Sequence, residues 1–289
     1  MPRTLPAQIY QQKLMGDSLW ELASRYFVCA GVGGASKLFV ECMYDFRAED
    51  SERLITAVEE RPADRPLVTV CNHTSTLDEP CLWALLPHRV FRNLEQMRWT
   101  IAAEDVCFAG PLSKWFFGSG HGISVRRGAG LQQPGVELAV RKLLEGKWLH
   151  IFPEGKVYQN RQVNFMRWGV AKCVATAYVR SPHRKAALVL PFYHSGMERV
   201  VPLSRFDTAV GYPTICWPGS LPIRVAVGEP FYVDGLIDDF LNRHGKARIE
   251  DNFRDDTDVE KQFYSALTEH IAERLRQVER HVEGQRVIE

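Results

Sequence analysis

Neither charge sign dominates this chain of 289 residues, in which 36 Lys and Arg stand against 35 Asp and Glu for a formal net charge of +1. A global basic field of the kind that recruits nucleic acid is therefore absent, and an anionic partner has to be met by a local patch. Seven cysteines, an odd number, include no C-x-x-C pair and no zinc-ribbon spacing, so they read as reduced packing thiols. Nowhere do the roughly 20 uninterrupted apolar residues of a spanning helix occur. The longest charge-free run, between Asp207 and Arg224, is broken by Gly211, Pro213, Pro218, Gly219 and Pro222 and reads as a loop. No clear secretory signal opens the chain, and Asp17 and Glu21 do not fit an Arg-rich, acid-free presequence. Internal repeats and low-complexity tracts are missing too.

What is present suits a large α/β domain: 45% hydrophobic and 25% charged residues allow a sizeable core. Leu19, Trp20, Leu22, Ala23, Tyr26, Phe27 and Ala30 share one side of an amphipathic helix. Gly31, Gly33 and Gly34 are expected to end or bend it before a second short helix over 37–46. Such a pair either caps the protein's own core or lies in a bilayer interface without crossing it. The glycines lack the third position of a dinucleotide fingerprint and follow a helix, which excludes that reading. Past residue 60, strands over 66–71, 97–102, 123–125, 148–152, 186–193 and 223–227 alternate with helices over 78–86, 135–145 and 169–179. That alternation predicts a single α/β domain with a mainly parallel central sheet flanked by helices. Residues 234–256 read as a charged loop. Thr257-x-x-Glu260 then forms a capping box opening a long amphipathic helix through Val259, Phe263, Leu267, Ile271, Leu275, Val278 and Val282. The expected division is an N-terminal membrane-associating segment (1–48), a catalytic domain (49–233) and a charged loop with a packed C-terminal helix (234–289).

Chemistry concentrates at strand ends. Asn72-His73-Thr74-Ser75-Thr76-Leu77-Asp78 follows the first apolar strand, and ligands sit at the carboxyl ends of strands in such sheets. Asp78 at the start of the next helix can fold back onto His73, orienting the imidazole and stabilising its protonated form. The pair has what a general base acting on a hydroxyl needs. A helix cap at Asp78 beside a satisfied strand-end histidine accounts for the same residues. Phe152-Pro153-Glu154-Gly155-Lys156 follows another apolar strand. It would place a carboxylate, a permissive glycine and a cation at the same edge, and equally makes a good turn. Gly122–Gly128 delivers Arg126 and Arg127 into a glycine turn where a phosphate can be gripped bidentately or water simply met. Leu188-Val189-Leu190-Pro191 is core by default and otherwise lines the path of an acyl chain. Lys114-Trp115-Phe116-Phe117 suits either the headgroup zone of a membrane or core packing.

In this order, Asn-His-x4-Asp, an Arg-Gly turn, Phe-Pro-Glu-Gly and an apolar strand ending in Pro resemble the four blocks of the glycerolipid acyltransferase superfamily. Stretches 97–100, 102–108, 150–157, 167–169 and 191–197 are similar to its branch of phospholipid–lysophospholipid transacylases, which remodels cardiolipin. Lys156-Val157 stands where many superfamily members carry Ser or Thr, a departure that fits this branch. The resemblance spans about residues 15–235. It implies His73 and Asp78 as catalytic residues and Arg127, Glu154, Gly155 and Lys156 as substrate-binding ones. It further implies no cofactor or metal, phospholipid and lysophospholipid substrates without CoA, and a mitochondrial membrane surface facing the intermembrane space. Alternatives are an acyl-CoA-dependent lysophospholipid or N-acylphosphatidylethanolamine-forming acyltransferase, a catalytically silent lipid-binding scaffold, and a metal hydrolase recruiting His121, His150 and His194 beside His73.

Overall fold

The computed structural model describes residues 18–202, 219, 221–244, 249 and 257–286. Its first element, α1, is one helix from Leu19 to Met43. Ser18 and Glu21 close a capping box at its start, and the turn from Phe27 to Val32 is widened to π geometry. The expected glycine turn is absent because Gly33 serves packing: its backbone is helical, and a Cβ there would lie 2.7 Å from the Trp83 ring. By length and composition this 25-residue helix, whose most apolar 18 residues have a mean hydropathy of 1.2, is long and apolar enough to cross a membrane. It is still not an uninterrupted apolar run, since Glu21, Arg25, Lys37 and Glu41 lie within it.

The second helix expected over 37–46 is likewise not separate. α1 runs to Met43, and Asp45–Glu49 is an edge strand, β1. Helix α2 (Ser51–Glu59) and β2 (Leu67–Val70) follow, then α3 (Asp78–Leu82) with a 3₁₀ turn at Trp83–Leu85. Next come β3 (Trp99–Ala103), α4 (Pro111–Ser119), β4 (Gly122–Val125), α5 (Pro134–Leu144) and β5 (Trp148–Ile151). The chain continues through α6 (Gly169–Arg180), β6 (Leu188–Ser195), β7 (Pro222–Val227), α7 (Asp234–His244) and α8 (Asp258–Arg286). The loop expected between Asp207 and Arg224 lies mostly outside the described residues. So does much of the stretch 245–256, but Asp234–His244 is helical rather than loop-like. Ile237, Phe240 and Leu241 recur at helical spacing and are buried, which outweighs the charged residues around them.

The seven strands form one sheet in the order β1-β7-β6-β2-β5-β3-β4, and every neighbouring pair is parallel except β6–β7. Both faces are covered, as a largely parallel sheet requires. Val68 and Val70 of β2 point into one core with α5, α6, α7 and α8. Leu67 and Cys71 point into the other, with α1, α2, α3 and Trp83. β6 divides its side chains the same way, Val189 to one core and Leu190 to the other. The Leu188–Pro191 run is therefore core. At the C-terminus, Thr257 and Glu260 form the expected capping box, and α8 packs along β6 and α6 through Tyr264, Leu267, Ile271 and Leu275.

Candidate active site

Parallel pairing fixes what meets at the carboxyl edge. Val70 is opposite Ile151 of β5 and Pro191 of β6. Three residues beyond each partner stand His73, Glu154 and His194, so the register brings these residues to the same end of three neighbouring strands.

His73 and Asp78 meet directly. His73 Nδ1 lies 2.9 Å from Asp78 Oδ2, and the Asp78 side chain is fully buried while that of His73 is 21% exposed. The same carboxylate oxygen accepts the backbone N–H groups of Thr74 at 2.6 Å and Ser75 at 2.8 Å. A carboxylate only accepts, so Nδ1 carries the hydrogen and Nε2 presents a lone pair. The other constraint on the ring is Phe152, which stacks against it with centroids 4.2 Å apart. The Tyr158 N–H also donates to the His73 carbonyl at 2.7 Å, tying the two motifs through their backbones.

Glu154 is buried. Its Oε1 accepts the Asn164 N–H at 3.1 Å, while Oε2 has no protein partner among the described residues. Burial pushes its carboxyl up to about 7, which poises it between acid and carboxylate near neutral pH. Gly155 adopts φ +73, and a Cβ there would lie 2.7 Å from Arg167 Nε. The glycine thus makes room for an arginine side chain. Lys156 is exposed, with Nζ 4.6 Å from the centre of the Tyr158 ring.

Arg127 is on the same edge but not beside His73. β5 and β3 separate β4 from β2, a distance of about 14 Å at ordinary strand spacing. There its guanidinium forks onto Asp105, with Nε 3.1 Å from Oδ1, and Arg126 pairs with Glu104. The two candidate cations therefore stand at different places along the carboxyl edge of the sheet.

Below these strand ends lies a buried polar network. Arg98 pairs with Glu79, gives a hydrogen bond to the Gly120 carbonyl at 2.9 Å and stacks its guanidinium over Trp83. Burial disfavours a charged Glu79, yet Arg98, His150 and the hydrogen bonds from Thr100 and Arg98 hold its carboxyl below the usual range. His150 is bridged to Trp148 through Thr69 Oγ1, 2.8 Å from each ring nitrogen involved, and burial pushes its imidazole down to about 4. His121 stacks on Trp99 at 4.5 Å and is pushed down to about 3 by burial. Among the described residues no three His, Cys, Asp or Glu side chains are grouped to hold a metal. Burial also raises the Cys71 thiol well above its ordinary range, the opposite of an activated nucleophile.

Asn72 and His194 were the site residues hardest to read. Asn72 Nδ2 donates to the His194 carbonyl at 2.8 Å, and its Oδ1 accepts the His194 N–H at 3.0 Å. The available signal was that His194 follows an apolar strand, as His73 does.

Residues 53–195 match the family model described as Acyltransferase. A tafazzin of Dictyostelium discoideum is 33% identical over 214 residues, covering 74% of this chain and 72% of the relative. The chain belongs to the tafazzin family of acyltransferases. It is an enzyme of that class, built on a mostly parallel seven-stranded α/β sheet. A tafazzin of Drosophila melanogaster is 38% identical over 78% of this chain and 56% of its own length. An N-acylphosphatidylethanolamine synthase of Arabidopsis thaliana is 34% identical, covering 73% of this chain and 71% of that protein.

Proposed function

We propose that this acyltransferase moves acyl chains between phospholipids and lysophospholipids without CoA, remodelling cardiolipin from monolysocardiolipin. The observation that carries the reading is the 2.9 Å contact of His73 Nδ1 with buried Asp78, which leaves Nε2 as a base at the open edge of the sheet. Nε2 takes the proton of the lysophospholipid hydroxyl as its oxygen attacks an ester carbonyl of the donor. Asp78 steadies the resulting imidazolium. As the tetrahedral intermediate collapses, the proton passes to the departing oxygen, so the donor leaves as a lysophospholipid and the base is restored. General-base catalysis of this kind contributes on the order of 10²–10⁴-fold.

Glu154 organises the acceptor pocket, with Gly155 shaping its turn and Lys156 and Arg127 holding lipid phosphates at two points along the sheet edge. Lys156 follows β5 and Arg127 follows β4, two strand spacings or about 10 Å apart, which suits an acceptor with more than one phosphate. Leu19, Trp20, Phe27 and Leu38 of α1 and Leu112 of α4 are exposed apolar side chains, supporting attachment to a bilayer through the N-terminal segment. A mitochondrial membrane facing the intermembrane space is the setting that the family likeness favours.

The relative that forms N-acylphosphatidylethanolamine supports a second reading, in which the acceptor is an amine. Transfer of a labelled acyl chain from phosphatidylcholine to monolysocardiolipin, with CoA absent, separates them. Transfer to the lysolipid is expected. Transfer only from acyl-CoA, or only to phosphatidylethanolamine nitrogen, would overturn the first reading.

A further inference from the structure

Asp78 has a second imidazole behind it. His194, on β6, has no exposed side-chain surface, and its Nε2 lies 3.0 Å from the Asn72 carbonyl and 3.5 Å from Asp78 Oδ2. A carbonyl oxygen only accepts, so this nitrogen carries the hydrogen and directs it at Asn72 and Asp78 together. Its Nδ1 is buried with no partner among the described residues. With the two bonds of the Asn72 amide to the His194 backbone, three hydrogen bonds lock the end of β2 to the end of β6. The lock is immediately before His73, and its side-chain component reaches the carboxylate that orients His73.

We propose that His194 is a positioning residue for the His73–Asp78 pair, its Nε2–H holding the Asn72–Asp78 loop and the Asp78 carboxylate in register with the base. The inference rests on the reading of His73 as the base. Asp78 already collects the N–H groups of His73, Thr74 and Ser75 on one oxygen, so its position depends on the backbone of the loop. The loop in turn is pinned across to the neighbouring strand at Asn72. Without the Nε2–H the Asn72 carbonyl loses a buried donor, and the loop is free to shift by fractions of an ångström. Misplacement on that scale costs turnover steeply, since about 1 Å is worth on the order of 10²-fold.

Substitution by Phe and by Gln separates this role from space filling. His194→Phe keeps the ring volume and lacks the donor; His194→Gln loses the ring but can place an N–H near the same point. Acyl transfer by the full chain on vesicles of phosphatidylcholine and monolysocardiolipin, together with amide hydrogen exchange, is the measurement. His194→Phe is expected to lower kcat by about 10–100-fold with little change in KM and to speed exchange at the Thr74 and Ser75 amides. His194→Gln is expected to restore most of the turnover and the protection. Phe tolerated and Gln not, or unchanged exchange in His194→Phe, would overturn the proposal. If thermal unfolding shows that His194→Phe does not fold, His194→Asn, whose shorter amide falls short of the Asn72 carbonyl, takes its place with the same expectations. His73→Ala run in parallel keeps the two ideas apart. Full turnover in His73→Ala would remove the general-base reading, whereas an inactive His73→Ala beside a fully active His194→Phe would remove this inference alone.

Discussion

The imidazole of His73 stacks on the ring of Phe152, with centroids 4.2 Å apart and planes inclined by 27°. Two sequence motifs separated by some eighty residues thus share one aromatic contact. The stack limits rotation of the imidazole on one side, while Asp78 holds it through Nδ1 on the other.

His73→Ala is expected to lower turnover by about 10²–10⁴-fold without lowering the melting temperature appreciably. The side chain is partly exposed, and its removal leaves Asp78 with two backbone donors. Kinetics alongside thermal unfolding would test this, and near-wild-type turnover would refute it.

Phe152→Leu keeps apolar volume but removes the flat partner of the imidazole. The expected result is a fall in kcat larger than any change in KM, with a loss of stability of about 1–2 kcal/mol in denaturant titration. An unchanged kcat would mean that Asp78 alone suffices to orient His73.

Behind the site, buried Arg98 pairs with partly buried Glu79. Removing one partner strands the other, so Arg98→Ala is expected to cost about 3–5 kcal/mol. The double variant Glu79→Gln/Arg98→Met is expected to recover much of that loss, because it leaves no unpaired charge. Chemical denaturation of the single and double variants measures the difference.

Glu154 links pH to stability. Burial raises its carboxyl to about 7 in the folded protein, against an ordinary value of 4.5. Over that window the folded state holds a proton that the unfolded state has released, so stability falls as pH rises from about 4.5 to 7 and levels off above. Glu154→Gln is expected to flatten this part of the profile and to stabilise the fold by about 1–3 kcal/mol above pH 7. Melting curves from pH 4.5 to 8 provide the check, and an unchanged slope would count against the assignment.

The large apolar residues of α1 and α4 divide into two sets. Trp20 and Leu112 are 70% and 76% exposed, and replacing them with Ser, together with Phe27, is expected to weaken vesicle pelleting with little effect on melting. Trp115, Phe116 and Phe117 are half-buried; Trp115 donates to Ser24 Oγ at 3.2 Å, and Phe116 meets Phe117 edge to face. Serine in this second set is expected to lower the melting temperature by loosening α4 against α1. Equal effects of both sets on pelleting alone would contradict the division.

The alternation of strands and helices was legible along the chain, because hydrophobic period and turn residues act over a few neighbours. So was the placement of His73 and Glu154 just past apolar strands, and the capping box at Thr257. Misread segments were those where a local signal is weaker than a distant partner. Gly33 looks like a turn until Trp83 lies against it, and the Asp234–His244 helix is defined by a buried face that its charged residues mask. The pairing of Arg127 with Asp105 was likewise not legible, because β3 and β4 have to be neighbours for the two to meet.

Composition and motif spacing by themselves determined the class of fold, the family likeness and the candidate base with its carboxylate, all carried by short stretches of chain. Only the tertiary structure decided that His73, Glu154 and His194 stand at the same end of the sheet, since that depends on β6, β2 and β5 being neighbours in a particular register. His194 and Asn72 are 122 residues apart, and no periodicity in a sequence encodes which strand will be laid beside which. That choice belongs to the packing of both faces of the sheet at once.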